Sequence, residues 1–312
     1  MSSALTARMA LAKHGFEFTH SLGQNFLLDD GFIEQIVDAA GVGQGDRVLE
    51  IGAGAGVLTA GLCARGAKVL AIEIDRSLAP VLDEVLSPYL VQDKLLEPAE
   101  EVLAPHLVQE DNAALADGQV RICYQDVMKA DLPKLTRDAF GEGERFDVVA
   151  NLPYYITADV LLMLVKTGLP IDSITVMVQQ EAAERIMSHP GEKSWCALAA
   201  MVQYFGQPSV LFQVPPEAFT PRPHVMSCLL RIDLHREKPA QAQDDRLLLR
   251  LITAAFAMRR KTLSNNLTAA FPIHREQAQQ LIESCGLDPK VRGEALTLAQ
   301  LAALSDAIST MN

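Results

Sequence analysis

Asn151, Leu152, Pro153, Tyr154 and Tyr155 follow directly on the apolar run 146–150. An apolar strand ending this way carries an amide, two backbone carbonyls and a phenol ring to its carboxyl end. Open α/β sheets bind ligands at that end. The Asn151 amide oxygen and the carbonyl of Leu152 or Pro153 can accept the hydrogens of an exocyclic amine. Pro153 supplies a carbonyl while lacking an N–H. Tyr154 offers a ring face on which a base can stack. The set suits holding an aromatic amine for attack on an electrophile. Taken alone, it fits equally well a turn that closes a strand, with Tyr154 as a core aromatic.

Other segments would position these groups. Residues 48–56 read V-L-E-I-G-A-G-A-G, a buried strand entering a glycine-rich turn, and 57–62 continue as an apolar helix. Glycines let backbone approach a ligand, and a helix start adds partial positive charge. A second strand, 68–75 (K-V-L-A-I-E-I-D), ends in acid. Its Glu73 lies roughly 20 residues beyond the glycines, where a carboxylate would bind ribose hydroxyls. A third strand, 120–124, ends in Gln125-Asp126. Polar groups at successive strand ends make a nucleoside-binding crevice in an α/β sheet. Gly52, Gly54 and Gly56 alternate, unlike the G-x-G-x-x-G dinucleotide fingerprint, and no Walker-type G-K-S/T follows.

Composition bounds the reading. A chain of 312 residues can form one large domain and one small one. Cys63, Cys123, Cys196, Cys228 and Cys285 are scattered without C-x-x-C spacing. This predicts reduced thiols, no zinc and a cytoplasmic location. Arg8, Lys13 and Glu17 interrupt any N-terminal apolar run, so no signal peptide is expected. No run of 18 apolar residues exists, so no membrane span is expected either. The net charge of −12 has the wrong sign for a nucleic-acid binder. Its distribution matters more. Residues 87–118 hold seven acids against Lys94 alone, whereas 239–312 hold eight Lys/Arg against seven Asp/Glu. Arg259, Arg260 and Lys261 cluster in that tail, with Arg250 upstream, as either a solvated helix face or a phosphate contact.

Periodicity orders the rest. Residues 1–20 are expected to be a poorly ordered arm, and 32–40 a helix before the first strand. Runs 210–214 and 228–232 bracket the proline-rich 215–223, an expected antiparallel pair at the sheet edge. Polar 235–245 reads as a linker, followed by helical patterns at 247–257, 275–284 and 298–308. The expected division is therefore a sheet domain over 1–238 and a helical domain over 239–312.

The pattern E-x-G-x-G-x-G followed by I-E-I-D resembles S-adenosylmethionine (SAM) methyltransferases. Seven segments then occur in one family's order: S-L-G-Q-N-F-L-L (21–28), 50–56, 72–75, 151–156, V-Q-Q-E-A-A-E-R (178–185), V-P-P-E-A-F-T-P-R-P (214–223) and A-F-A-M-R-R-K-T-L-S-N-N-L (255–267). Over about residues 19–300 the chain resembles the KsgA-type ribosomal RNA adenine N6,N6-dimethyltransferases. The resemblance implies a Rossmann-like SAM-dependent sheet with a small C-terminal helical domain. It implies dimethylation of two adjacent adenosines in a small-subunit rRNA hairpin loop by a monomeric enzyme that needs no metal. Gln24, Asn25 and Leu27 would lie over the methionine end of SAM, and Gly52 and Gly54 under methionine and ribose. Glu73 would hold the ribose hydroxyls, Ile74 would flank the adenine, and Asp126 would accept from its amine. Asn151, Leu152, Pro153 and Tyr154 would hold the target base, and Phe219 matches a second stacking aromatic. Arg222, Arg259, Arg260 and Lys261 would meet RNA phosphates.

The chain departs from the family at several positions. The family usually has Pro at Ala53. It often has Lys at Gln180 and His224, Gly-Arg at Cys196-Ala197 and Asp at Met226. Three basic positions are thus neutral here, which weakens expected affinity for naked RNA and favours a ribosomal particle as substrate. The family also usually crosses 87–118 with far fewer residues, so that segment is expected to be solvated surface. Other readings remain. One is a large-subunit rRNA methylase of the erythromycin-resistance type, which usually reads Asn-Ile-Pro-Tyr and has a shorter tail. Another is a non-catalytic assembly or transcription factor on the same fold. A nicotinamide oxidoreductase is disfavoured by the glycine spacing.

Overall fold

The computed structural model describes residues 2–19, 22–91 and 114–310. The chain opens with α1 (Ser3–Lys13), β1 (Phe26–Leu27), α2 (Asp30–Ala40), β2 (Arg47–Ile51), α3 (Val57–Ala64) and β3 (Lys68–Glu73). There follow α4 (Ala79–Leu86), β4 (Val120–Tyr124), α5 (Leu132–Phe140), β5 (Phe146–Asn151), α6 (Thr157–Lys166) and β6 (Ile171–Gln179). Next come α7 (Gln180–Ile186), α8 (Ala197–Phe205), β7 (Gly206–Val214), β8 (Phe219–Thr220) and β9 (Ser227–Leu234). Four helices close the chain: α9 (Asp245–Ala257), α10 (Leu263–Ala270), α11 (Arg275–Ser284) and α12 (Leu298–Ser309).

The main sheet has the order β4-β3-β2-β5-β6-β9-β7. From β4 to β6 the pairing is parallel, and one row of partners crosses it as Arg121, Leu70, Leu49, Val148 and Ile174. Parallel strands covered on both faces must be apolar nearly throughout. Accordingly every residue of β2 and β3 after the first is buried, including two carboxylates, Glu50 and Glu73. The chain leaves β2 towards β3 and β4, then returns to β2's other side for β5 and β6. The order therefore reverses between β2 and β5, and a crevice opens there at the carboxyl ends. The α/β class expected from sequence is the class observed.

Helix ends follow local chemistry. The Asp29 side chain accepts from the Phe32 N–H to start α2, and Asp131 accepts from the Lys134 N–H to start α5, each at 3.1 Å. Such caps contribute about 1 kcal/mol each. Helix α3 packs against β3, α2 and α4. The expected disordered arm is corrected: residues 3–13 are helical, and Ala4, Ala7, Ala10 and Leu11 are buried as the helix packs on α3 and α4. A stripe of alanines gives little hydrophobic contrast in sequence, yet it lets helices approach closely. The strand β1 pairs antiparallel with β8, joining Phe26 to Thr220 and Leu27 to Phe219.

Most of the acidic segment 87–118 lies outside the described residues. Its described ends are held by backbone hydrogen bonds. Val120 N–H donates to the Tyr89 carbonyl (2.9 Å), Leu115 N–H to Ala139 (3.0 Å) and Gly118 N–H to Ala67 (3.2 Å). Of these described ends only Leu115 is buried, while Ser87, Pro88, Ala114, Ala116 and Asp117 are exposed, as expected of a solvated surface.

By internal contacts the chain forms two compact units: Met1–Gln179 with Val210–Arg231, and Gln180–Ser209 with Ile232–Asn312. This differs from a single cut after residue 238, because 180–209 joins the C-terminal helices. The apolar helix α8 packs on α9. Trp195, fully buried, meets the Phe256 ring edge-on at 6.2 Å. The Tyr204 hydroxyl donates to Asp245 at 2.7 Å. Within this unit α10 escaped the periodicity reading. Gly293 is required because a Cβ there would lie 2.1 Å from the Ala255 carbonyl oxygen. Thr297 and Gln300 form a capping box that starts α12.

Candidate active site

A cavity of about 320 Å³ lies at the carboxyl ends of β2, β3, β4 and β5, walled by segments 22–28, 50–55, 72–74, 125–128 and 151–156. A second cavity, of about 340 Å³, lies between 18–25 and 221–225. The two share Gly23, Gln24, Asn25 and Tyr154 in their walls. Both sizes suit small-molecule ligands.

The first cavity's floor is the turn after β2. Gly54 holds φ at +54°, and a Cβ there would press the Phe26 ring at 3.2 Å, so the turn needs glycine. The Gly54 N–H donates to Glu73 Oε2 and the Asp75 N–H to Glu73 Oε1, both at 2.8 Å. Burial pushes the Glu73 carboxyl above its usual range, and these amide donors pull it back. A carboxylate oxygen has more than one acceptor site, so Glu73 can still accept from a ligand's hydroxyls. Replacing Glu73 with Ala is expected to weaken binding of a ribose-bearing cofactor by about 1–3 kcal/mol. Isothermal titration checks this, and unchanged affinity would remove Glu73 from the site.

Glu50 also lines the cavity and is fully buried. Neither of its carboxyl oxygens has a hydrogen-bond partner, nor does the nearby buried Thr59 hydroxyl. Desolvation pushes its pKa up to about 8, with the Thr59 hydroxyl alongside lowering it and the charge of Glu73 raising it further.

At the end of β5 the Asn151 Nδ2 donates to the backbone carbonyl of Asn25 at 3.1 Å. A carbonyl can only accept, so this bond fixes which end of the amide points where and leaves Oδ1 for a ligand. The Pro153 carbonyl already accepts from the Ile156 N–H and the Thr157 hydroxyl, each at 3.2 Å. Of the two carbonyls singled out in the sequence, Leu152's is thus the one better placed to take a further donor. The Tyr154 hydroxyl shares a 2.6 Å hydrogen bond with Ser227, and burial raises its pKa, so it stays a phenol at neutral pH.

The remaining expected residues divide. Leu27, Gly52, Ile74 and Asp126 all line the first cavity. Ile74 sits at the rim, 52% exposed. Asp126 Oδ1 accepts from the Met128 N–H at 3.0 Å. Gln24 is committed at both ends of its amide, accepting from Thr19 N–H (2.8 Å) and donating to Asp75 Oδ2 (2.6 Å). Phe219 is 3% exposed, lines neither cavity and packs in the core, on the strand β8 that pairs with β1. Arg222 lines the second cavity but is ion-paired with Glu217. Arg259, in the other unit, pairs with Glu294 and donates to the Lys193 carbonyl. Arg260 and Lys261 are exposed.

Sequence reasoning missed Glu50, although it stands inside the glycine motif. It also missed Val127 and Met128, which the strand-end position of Gln125-Asp126 pointed towards. Ser227, 73 residues beyond Tyr154, left no signal. Among the described residues no group of His, Cys, Asp and Glu could hold a metal ion.

The strand order and crevice are those of Rossmann-like methyltransferases. A dimethyladenosine transferase from Plasmodium falciparum shares the fold with TM-score 0.65 and 20% identity over 88% of this chain and 94% of that one. The 23S rRNA methyltransferase ErmE shares it with TM-score 0.60 and 22% identity over 91% of this chain and all of that one. At such identities the likeness is one of fold. Sequence goes further. The profile of the ribosomal RNA adenine dimethylase family matches residues 15–96 and 101–309. The Ribosomal RNA small subunit methyltransferase A of Geobacillus thermodenitrificans is 39% identical over 96% of this chain and 93% of its own length. The protein of that name from Lachnoclostridium phytofermentans is also 39% identical, over 96% of this chain and 94% of its own. The chain belongs to the ribosomal RNA adenine dimethylase family.

Proposed function

We propose that the protein dimethylates N6 of two adjacent adenosines in a hairpin loop of small-subunit ribosomal RNA, using SAM as methyl donor. The observation that carries the chemistry is the Asn151 amide, tied through Nδ2 to Asn25 so that Oδ1 is left as acceptor. Adenine N6 is a poor nucleophile because its lone pair is delocalised into the ring. Hydrogen bonds from the N6 hydrogens to Asn151 Oδ1 and the Leu152 carbonyl favour a tetrahedral nitrogen with its lone pair free. Positioning and electrostatics of this kind supply most of the rate. Tyr154 stacks on the extruded base. Asn151 cannot act as a base at neutral pH, so the proton leaves to water after transfer.

SAM supplies a methyl group on a sulfonium, an electrophile that needs no protein nucleophile. The residues present fit it. The Gly52–Gly54 turn admits close approach, Glu73 has acceptor capacity for ribose hydroxyls, and Ile74, Met128 and Asp126, which line the cavity, would hold the adenine. Asn25 and Leu27 would hold the methionine portion, with Gln24 acting through its hold on Asp75.

The family assignment supports an rRNA adenine substrate, and the names of its sequence relatives support the small subunit. A hairpin loop supplies unpaired bases, which cost least to extrude. The net charge of −12 favours a ribosomal particle, whose proteins add contacts, over naked rRNA. We take the enzyme to act as a cytoplasmic monomer. No helix among the described residues is long and apolar enough to cross a membrane.

The deciding experiment is methyl transfer to undermethylated small and large ribosomal subunits, with mass mapping of the product. Dimethyladenosine pairs in small-subunit rRNA are expected. Product confined to large-subunit rRNA, or none with SAM demonstrably bound, would overturn the reading. A second result concerns Arg259, Arg260 and Lys261, which we read as phosphate contacts of the helical unit. Neutralising all three should weaken subunit binding and lower the slope of log K against log salt by about 1.5, since each lost phosphate contact removes ~0.7–0.9 and Arg259 is already paired. An unchanged slope would take the cluster out of the interface.

A further inference from the structure

We infer that Ser227 is a positioning residue for the methyl-transfer reaction, acting through Tyr154. This rests on the reading of Tyr154 as the platform for the target base. Ser227 is fully buried at the start of β9 and lines neither cavity, so it cannot touch cofactor or base. Its hydroxyl lies 2.6 Å from the Tyr154 hydroxyl. Tyr154 is the one aromatic side chain that walls both cavities.

The geometry says what the bond can and cannot do. A tyrosine hydroxyl lies on the ring's long axis. A hydrogen bond there does not stop the ring flipping about that axis, but it fixes the direction of the axis and hence χ1. At the other end the ring hangs from a loop already pinned by the Ile156 and Thr157 bonds to the Pro153 carbonyl. With both ends held, the ring centroid has one position relative to Asn151. A stacked base therefore meets the Asn151 amide at one height. Misplacement by an ångström of a group far from the bond being made can cost much rate. The support is built into the sheet: β9 neighbours β6, β6 pairs with β5, and β5 carries Asn151 at its end.

A double-mutant cycle on the full chain with small ribosomal subunits tests this. Ser227→Ala and Tyr154→Phe each keep the ring and remove one half of the hydrogen bond. Each is expected to lower kcat about tenfold, the range of one neutral hydrogen bond, while KM for SAM stays unchanged. The double variant should be no slower than either single, because both remove the same interaction. Full kcat in Ser227→Ala, or effects that multiply in the double variant, would overturn the inference. So would a KM for SAM that rises in step with a lower melting temperature, since that marks a general packing defect. Tyr154→Ala serves as the control. If it turns over at the wild-type rate, the platform reading itself has failed. If it is inactive while Ser227→Ala is normal, only the positioning role has.

Discussion

Asn151→Ala is expected to reduce methyl transfer by about 10²–10³, the usual loss when a preorganised group facing developing charge is removed. Cofactor affinity should stay near the wild-type value, because the amide acts on the target amine. Asn151→Asp sharpens the test. It keeps an acceptor oxygen, yet a carboxylate has no N–H to give the Asn25 carbonyl, so the donor side of the 3.1 Å bond is lost. Two acceptors would then face each other, and the side chain would turn away. The aspartate variant should therefore be nearly as slow as the alanine variant. Single-turnover methylation with SAM held saturating measures both. Near-normal turnover in either would refute the assigned role.

Glu50→Gln should change the pH dependence of folding in the absence of cofactor. The carboxyl titrates near its ordinary 4.5 in the unfolded chain and at about 8 in the native one. Between those values the native state holds a proton that the unfolded state has released. Stability is thus fully present below about pH 4.5 and is lost as pH rises through about 8. A shift of this size corresponds to a few kcal/mol, since each unit is about 1.4 kcal/mol. The glutamine variant has no proton to lose and should keep its stability across that window. Urea unfolding of both proteins at pH 5.5 and 8.5 reads the difference. Parallel behaviour of the two would show that Glu50 is hydrated and ionised despite its burial.

Much of the sheet was legible because parallel strands must be apolar on both faces. The run 120–124 therefore announced its bounds, and the run 68–75 its start, although the strand itself stops at Glu73. The crevice was legible for a related reason: strands ending in Glu, Asp or Asn can only put those groups at the carboxyl edge. What escaped was whatever depends on small residues or on distant partners. The alanine stripe of α1 carries no strong periodic contrast, and the apolar helix α8 does not reveal that it packs with α9. The burial of Phe219 escaped because a motif gives an order of residues but not the packing of a ring. The acceptor side of Asn151 could be expected from its type, whereas its orientation needed Asn25, whose carbonyl any residue at that position would supply.

The wall shared by the two cavities has a thermodynamic corollary. A ligand in one cavity that orders Gly23, Gln24, Asn25 or Tyr154 has met part of the ordering cost faced by a ligand in the other. Linkage then demands reciprocity: whatever factor cofactor adds to substrate affinity, substrate adds to cofactor affinity. Were the spent cofactor and the modified base to occupy these two cavities, each would hold part of the other's boundary, and the departure of one would loosen the grip on the other.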